Sequence, residues 1–246
     1  MKIIFLGTNG WYDTDTGNTI CTLINMKDSS IILDAGNGIY KADRYIKKDK
    51  PIHLFLSHFH IDHTEGLHTL AKFNFQSLTI YGQPGTRKAV DTLLDQKFSV
   101  PRKRLPFKCD VVELARGWHK EPFRMQCLPL KHSSHCYGYR FEIEDKVISY
   151  CTDTGPCKEA VELSGGADLI ISECSFTSGQ ENPEWPHMNP ELAAKLAADS
   201  KAKRLVLTHF DANVYKTLKM RDAAEKHAKK VFKNAIAAKD GFMATI

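Results

Sequence analysis

The stretch Ser57-His58-Phe59-His60-Ile61-Asp62-His63-Thr64 places three histidines and an aspartate within six positions. Imidazole nitrogen and carboxylate oxygen are ligands for zinc and related divalent ions. An apolar run at 52–56 precedes the group and reads as a buried strand, and 65–73 has the spacing of an amphipathic helix. The four residues therefore stand where a strand ends and a helix begins. Alternate side chains of an extended chain point to one side, which groups His58, His60 and Asp62. The turn into the helix can bring His63 to the same region. The bland alternative is four unrelated polar residues in a loop, and packed apolar neighbours give no reason for four such side chains together.

Three later apolar runs also end in a ligand-type residue. His132 follows 123–130, Asp153 follows 147–151 and His209 follows 204–208. The C-terminal ends of strands are where an α/β-type sheet presents functional groups. On residue type alone His135 competes with His132. Asp34 closes another buried run, 30–33; it can orient a metal-bound histidine or serve only its turn. His53, His68, His119 and His227 lack a strand-end setting, and surface or packing roles suffice for them. The seven cysteines (Cys21, Cys109, Cys127, Cys136, Cys151, Cys157 and Cys174) form no Cys-x-x-Cys and read as reduced, mostly buried thiols. Cys136, Cys151 and Cys174 lie near candidate site residues but are not counted as ligands.

His-x-His-x-Asp-His is the signature of the metallo-β-lactamase fold, and the chain resembles that superfamily. Asp153 in Thr152-Asp153-Thr154-Gly155, Glu173 in Ser172-Glu173-Cys174, His187 in Trp185-Pro186-His187-Met188 and His209 in Leu207-Thr208-His209-Phe210 narrow the likeness. In that order they resemble ribonuclease Z and its phosphodiesterase relatives, with Phe5-Leu6-Gly7-Thr8 at one end and Asp240-Gly241-Phe242 at the other. The resemblance implies one domain over 1–246, of α+β (α/β) class, built as a four-layer αββα sandwich. It implies two divalent metal ions per chain, zinc first, with manganese or iron as alternatives. His58, His60 and His132 would hold one ion, Asp62, His63 and His209 the other, and Asp153 would bridge. In this branch the ligand stands six positions before a Gly-Tyr-Arg; Gly138-Tyr139-Arg140 thus selects His132 over His135. The implied catalytic residues are Asp62, Glu173 and His187, with the glutamate paired to the histidine and the histidine giving its proton to the leaving oxygen. An aspartate at 153 suits esters and phosphodiesters, where a cysteine would suit β-lactams.

The surrounding elements must hold these groups in place. Strands are expected at 2–6, 20–26, 30–33, 78–81, 111–114, 123–129, 137–144, 147–151 and 168–173, besides those named above. Helices are expected at 40–46, 86–97 and 191–198, the last with Asn189 as N-cap and Pro190 at its first position. The second half repeats the first half's order of strands followed by helices, with no visible identity between halves. A chain of 246 residues with 42% hydrophobic and 26% charged residues is ordinary for a globular protein. The net charge of +5 permits a polyanionic substrate without requiring one. The basic loop 101–106 and the lysine-rich segment 41–50 read most simply as solvated surface. No apolar run approaches the ~20 residues of a membrane span. The first apolar run is short and stops at Gly7, so it reads as a strand rather than a leader, and a cytoplasmic location is expected.

The resulting expectation is a metal-dependent phosphodiesterase that hydrolyses small or cyclic diesters with a hydroxide bridging two ions. A small phosphodiester or nucleotide is the expected partner, with RNA second, no membrane, and a homodimer compatible with the chain. Ribonuclease Z proteins that process transfer RNA resemble this chain in the site but carry a long arm; in the bacterial form it lies between the equivalents of His132 and Asp153. Here those residues are 21 positions apart, enough for a tight hairpin. The alternative within enzymes is therefore RNA 3′-end processing. Thioester hydrolysis shares the first motif and leaves Glu173 and His187 without a role. A non-catalytic metal- or nucleic-acid-binding module is the alternative of another class.

Overall fold

The computed structural model describes residues 1–46 and 50–246; residues 47–49 of the lysine-rich segment lie outside them. The chain forms two compact units. Residues 1–13, 17–115 and 240–245 make the first, and residues 14–16, 116–239 and 246 the second.

Among the described residues the first unit has a seven-stranded sheet. Its order is Met243–Thr245, Lys2–Gly7, Cys21–Asn25, Ser30–Leu33, Pro51–Phe55, Ser77–Gly82 and Lys108–Glu113. The first three neighbouring pairs are antiparallel and the last three parallel. Ile31 to Leu33 and Leu54 to Leu56 are fully buried. Such runs fit parallel strands buried on both faces. Ile4, Leu6, Leu23, Ile32, Leu54 and Ile80 form one core with Ile39, Leu67, Leu70 and Val90 from the helices.

The second unit repeats this plan. Its sheet runs Ala235–Ala237, Leu205–Thr208, Leu169–Glu173, Lys146–Cys151, Tyr137–Ile143, Arg124–Pro129 and Gly117–His119. Three pairs are parallel and three antiparallel, as in the first unit. Helices Lys158–Ser164, Pro190–Asp199 and Leu218–Val231 belong to this unit, and its core joins Leu163, Leu196, Ala224 and Ala228 to Ile170, Leu205 and Leu207. Asn189 caps the middle helix by accepting the Leu192 N–H at 2.9 Å, with Pro190 at the first helical position.

Several expected elements differ. The helices expected at 40–46 and 65–73 are 3₁₀ turns, Asn37–Arg44 and Glu65–Lys72. The Gly66 N–H is spent outside its own helix, on the Ala35 carbonyl at 2.8 Å. A Cβ on Gly66 would stand 2.2 Å from the Gly36 carbonyl oxygen, so only glycine allows that approach. The helix expected at 86–97 ends at Leu93, where the Asp95 side chain accepts the Lys97 N–H and starts a turn. Among the described residues no helix is long and apolar enough to cross a membrane.

Candidate functional site

In the first unit the strand Pro51–Phe55 delivers the chain into the histidine stretch, and His60 stands at the N-terminus of the short helix Ile61–Thr64. The turn brings His63 back, as its position in the motif suggests. The His58 ring centre lies 4.4 Å from that of His60 and 4.2 Å from that of His63. Ligand atoms of His58 and His60 lie within 4.8 Å of each other, as do those of Asp62 and His63. Asp62 Oδ2 accepts the Trp11 N–H at 2.7 Å and lies 3.7 Å from His63 Nε2.

Asp34 settles into the supporting role that its sequence position left open. Its buried carboxylate accepts the Ser57 N–H at 2.7 Å, the Ser57 hydroxyl at 2.8 Å and His63 Nδ1–H at 2.8 Å. Because the Ser57 hydroxyl donates to Asp34, its oxygen is left to accept from His58 Nδ1, 3.1 Å away. Both histidines thereby carry their proton on Nδ1, leaving Nε2 as the lone-pair atom for a metal.

In the second unit Asp153 and His209 occupy the ends of Lys146–Cys151 and Leu205–Thr208. His209 Nε2 lies 3.3 Å from Asp153 Oδ2. The Ser175 hydroxyl donates to the His209 carbonyl at 3.1 Å and accepts from its Nδ1 at 3.1 Å, again placing the lone pair on Nε2. Nε2 and the carboxylate are then two electron-rich atoms facing each other, an arrangement that a cation satisfies. His132 and Asp153 bring ligand atoms within 4.8 Å. His135 is exposed and leans on Tyr137, ring centres 5.1 Å apart. Asp34, Asp153 and His209 share a left-handed backbone, with φ of 56°, 52° and 50°. Non-glycine residues adopt that region at a cost, and such strain collects at functional positions. Asp34 and Asp153 also correspond: each ends the strand that begins the parallel half of its sheet.

Glu173 and His187 pair within the second unit. Glu173 is fully buried and accepts His187 Nδ1–H at 2.8 Å, the Thr154 N–H at 2.5 Å and the Ser175 N–H at 3.3 Å. Burial by itself would push the His187 pKa down. The Glu173 charge and hydrogen bond outweigh it, Asp153 and Asp211 add to them, and the imidazolium is raised to about 9. The His187 ring centre is 5.3 Å from His132 and 6.4 Å from His209, so a protonated imidazole stands beside this unit's ligand-type residues.

The donor set fits a divalent metal: imidazole Nε2 atoms with fixed tautomers and carboxylates at buried strand ends. The buried thiols do not join it. Burial pushes Cys151 up to about 11 and raises Cys174 further, so both stay neutral. Sequence reasoning missed Ser57 and Ser175, which set the tautomers of His58 and His209. The available signal was a hydroxyl placed directly before, or two residues after, a candidate strand-end residue. Asp34→Asn keeps the shape but turns one acceptor oxygen into a donor facing Ser57 or His63. Metal affinity, read by chelator competition, should fall ~10–100-fold, the usual loss when a ligand's supporting partner is removed. Affinity within about threefold of the parent would show that Asp34 serves only its turn.

A family model described as the Beta-lactamase superfamily domain matches residues 29–210. Ribonuclease Z from Prochlorococcus marinus (strain MIT 9301) is 27% identical over 317 aligned positions, covering 100% of each chain. That alignment is longer than the 246 residues here, so the relative carries insertions this chain lacks. The crystal structure of the metallo-β-lactamase fold protein YhfI from Bacillus subtilis superposes with a TM-score of 0.80 at 26% identity, covering 99% of this chain and 98% of the other. The short form of human tRNase Z (ELAC1) superposes with a TM-score of 0.78 at 23% identity, covering 100% and 99%, a likeness of fold.

Proposed function

The chain belongs to the Beta-lactamase superfamily domain family and is a metal-dependent hydrolase with the metallo-β-lactamase fold, and on that premise we propose that it hydrolyses small phosphodiesters. The observation that carries this reading is the Glu173–His187 pair beside Asp153 and His209. A diester expels an alkoxide, which needs a proton as the bond breaks, whereas a thioester expels a thiolate that does not.

In this reading His58, His60 and His132 would hold one ion, Asp62, His63 and His209 would hold the other, and Asp153 would serve both, all within one hydrolase domain. Zinc suits the donors first, with manganese or iron as alternatives. When bound, the ions acidify water and offset negative charge on the phosphoryl oxygens. The chain's own groups do the rest. Asp34, Ser57 and Ser175 hold the ligand histidines in the lone-pair-outward tautomer. Glu173 keeps His187 protonated and turns its Nε2 outward as the donor to the leaving oxygen. Asp62 is held in place by the Trp11 amide, whose N–H it accepts.

Small diesters are preferred over transfer RNA because 21 positions separate His132 from Asp153. A large substrate is positioned by binding energy far from the scissile bond, and an enzyme without a remote grip forgoes it. RNA 3′-end processing is the second reading, favoured by the relative named Ribonuclease Z. The basic loop around Arg102, Lys103 and Arg104 is one surface that could grip a backbone, but Arg102 is already engaged with Asp91 at 2.6 Å. The test is a competition at about physiological ionic strength among an aryl phosphodiester, cyclic nucleotides and a precursor tRNA with a 3′ trailer. Turnover of at least one small diester with little specific tRNA cleavage is expected. Efficient, site-specific trailer removal would promote the second reading.

A further inference from the structure

Trp185 is half exposed, at 48%, although tryptophan offers the largest apolar surface to bury. Single exposed aromatics are common and carry no message alone. Trp185 differs in where it stands and how it is held. Its ring centre is 5.9 Å from that of His132 and 6.0 Å from that of His187, so it flanks both a ligand-type residue and the proton donor of the second unit. The Asn182 side chain accepts the backbone N–H groups of Glu184 and Trp185 at 3.0 and 3.3 Å. On the other side Pro186 packs against Gly155, where a Cβ would meet the proline Cβ at 2.8 Å. Gly155 is itself tied to the His132 loop through the Lys131 carbonyl at 2.9 Å. The indole is thus carried on a short segment fixed at both ends, which lowers the entropy lost when a planar group settles on it.

We infer that Trp185 is the stacking platform for a nucleobase, so that the substrates are phosphodiesters bearing a nucleoside on the side of His187. This rests on the phosphodiesterase reading for its chemistry, and it names the substrate class within that reading. Every nucleobase has a π-face, so an indole selects for a base without selecting which one. Loss of such a stack typically costs ~5–150-fold in affinity.

The test compares adenosine 5′-monophosphate with ribose 5-phosphate, which share sugar and phosphate and differ only in the base. Binding to the metal-loaded protein is measured by calorimetry. The parent should prefer the nucleotide by roughly 10–100-fold, Trp185→Ala should shrink that preference to within about threefold, and Trp185→Phe should restore most of it. Ribose 5-phosphate affinity and metal content should be unchanged in both variants, which separates base stacking from a packing role for Trp185. Equal binding of the two ligands by the parent, or a preference that survives in Trp185→Ala, overturns the inference. Turnover is not needed for this comparison. A protein that prefers the nucleotide through Trp185 yet hydrolyses no diester would overturn the phosphodiesterase reading and leave the stacking site standing.

Discussion

Asp153→Asn should strip the protein of metal and activity together. The substitution is nearly isosteric, and asparagine is among the few residues that tolerate the φ of 52° found there, so backbone strain is not what changes. What changes is charge and the second anionic oxygen. The Thr152 hydroxyl and His209 Nε2 both meet the same oxygen, Oδ2, at 2.8 and 3.3 Å, so an asparagine that keeps its amide oxygen there presents an NH2 group, which cannot ligate an ion, at the other position. Charge stabilisation by metal is worth several kcal/mol in hydrolases of this kind, so turnover should fall by roughly 10³-fold or more. Elemental analysis of gently purified, metal-replete parent should approach two equivalents, and the variant should hold distinctly less, with an unchanged circular dichroism spectrum. A parent that is fully active with one equivalent would remove the bridging role from Asp153.

His187→Ala should fail in a different way. The proposed ligands stay in place, so metal content should hold, while turnover of a diester with an alkoxide leaving group drops ~10²–10⁴-fold. With a nitrophenolate leaving group, which departs without a proton, the drop should be much smaller. The pH dependence has a definite sign. Glu173 holds the His187 pKa above its ordinary value, near 9, so the donor form is present through neutral pH and is lost as pH rises through that value. The parent's rate on an alkyl diester should therefore fall on the alkaline side, and that limb should be missing in His187→Ala. Glu173→Gln should move the limb to lower pH, because a neutral amide no longer stabilises the imidazolium. If His187→Ala instead empties the protein of metal, His187 is a ligand and the donor role is wrong.

Much of this was legible in the chain because metal ligands are chemically restrictive and sit where apolar runs end. His58, His60, Asp62, His63, His132, Asp153 and His209 are all residue types that bind metal, each following a run whose burial the structure shows. The helix start at Asn189-Pro190 was equally plain, since its cap is a local hydrogen bond between residues three apart. The helix Leu218–Val231 was not anticipated. Its buried face is made of Ala224, Ala228 and Arg221, which give almost no apolar rhythm to read. The strand Met243–Thr245 pairs with Lys2–Gly7 from the other end of the chain, and no local pattern announces such a partner.

The sequence by itself determined which side chains can bind a cation and which strand ends carry them, because residue type and two-residue periodicity are local properties. Only the tertiary structure decided what each side chain meets. Asp34 became the partner of His63, 29 positions away, rather than a turn aspartate; Ser57, oriented by Asp34, and Ser175 became the groups that set imidazole tautomers; and the Gly66 amide found its partner in the Ala35 carbonyl. Each of these depends on a distance between residues far apart in the chain, and such distances are set by packing, which no local pattern encodes.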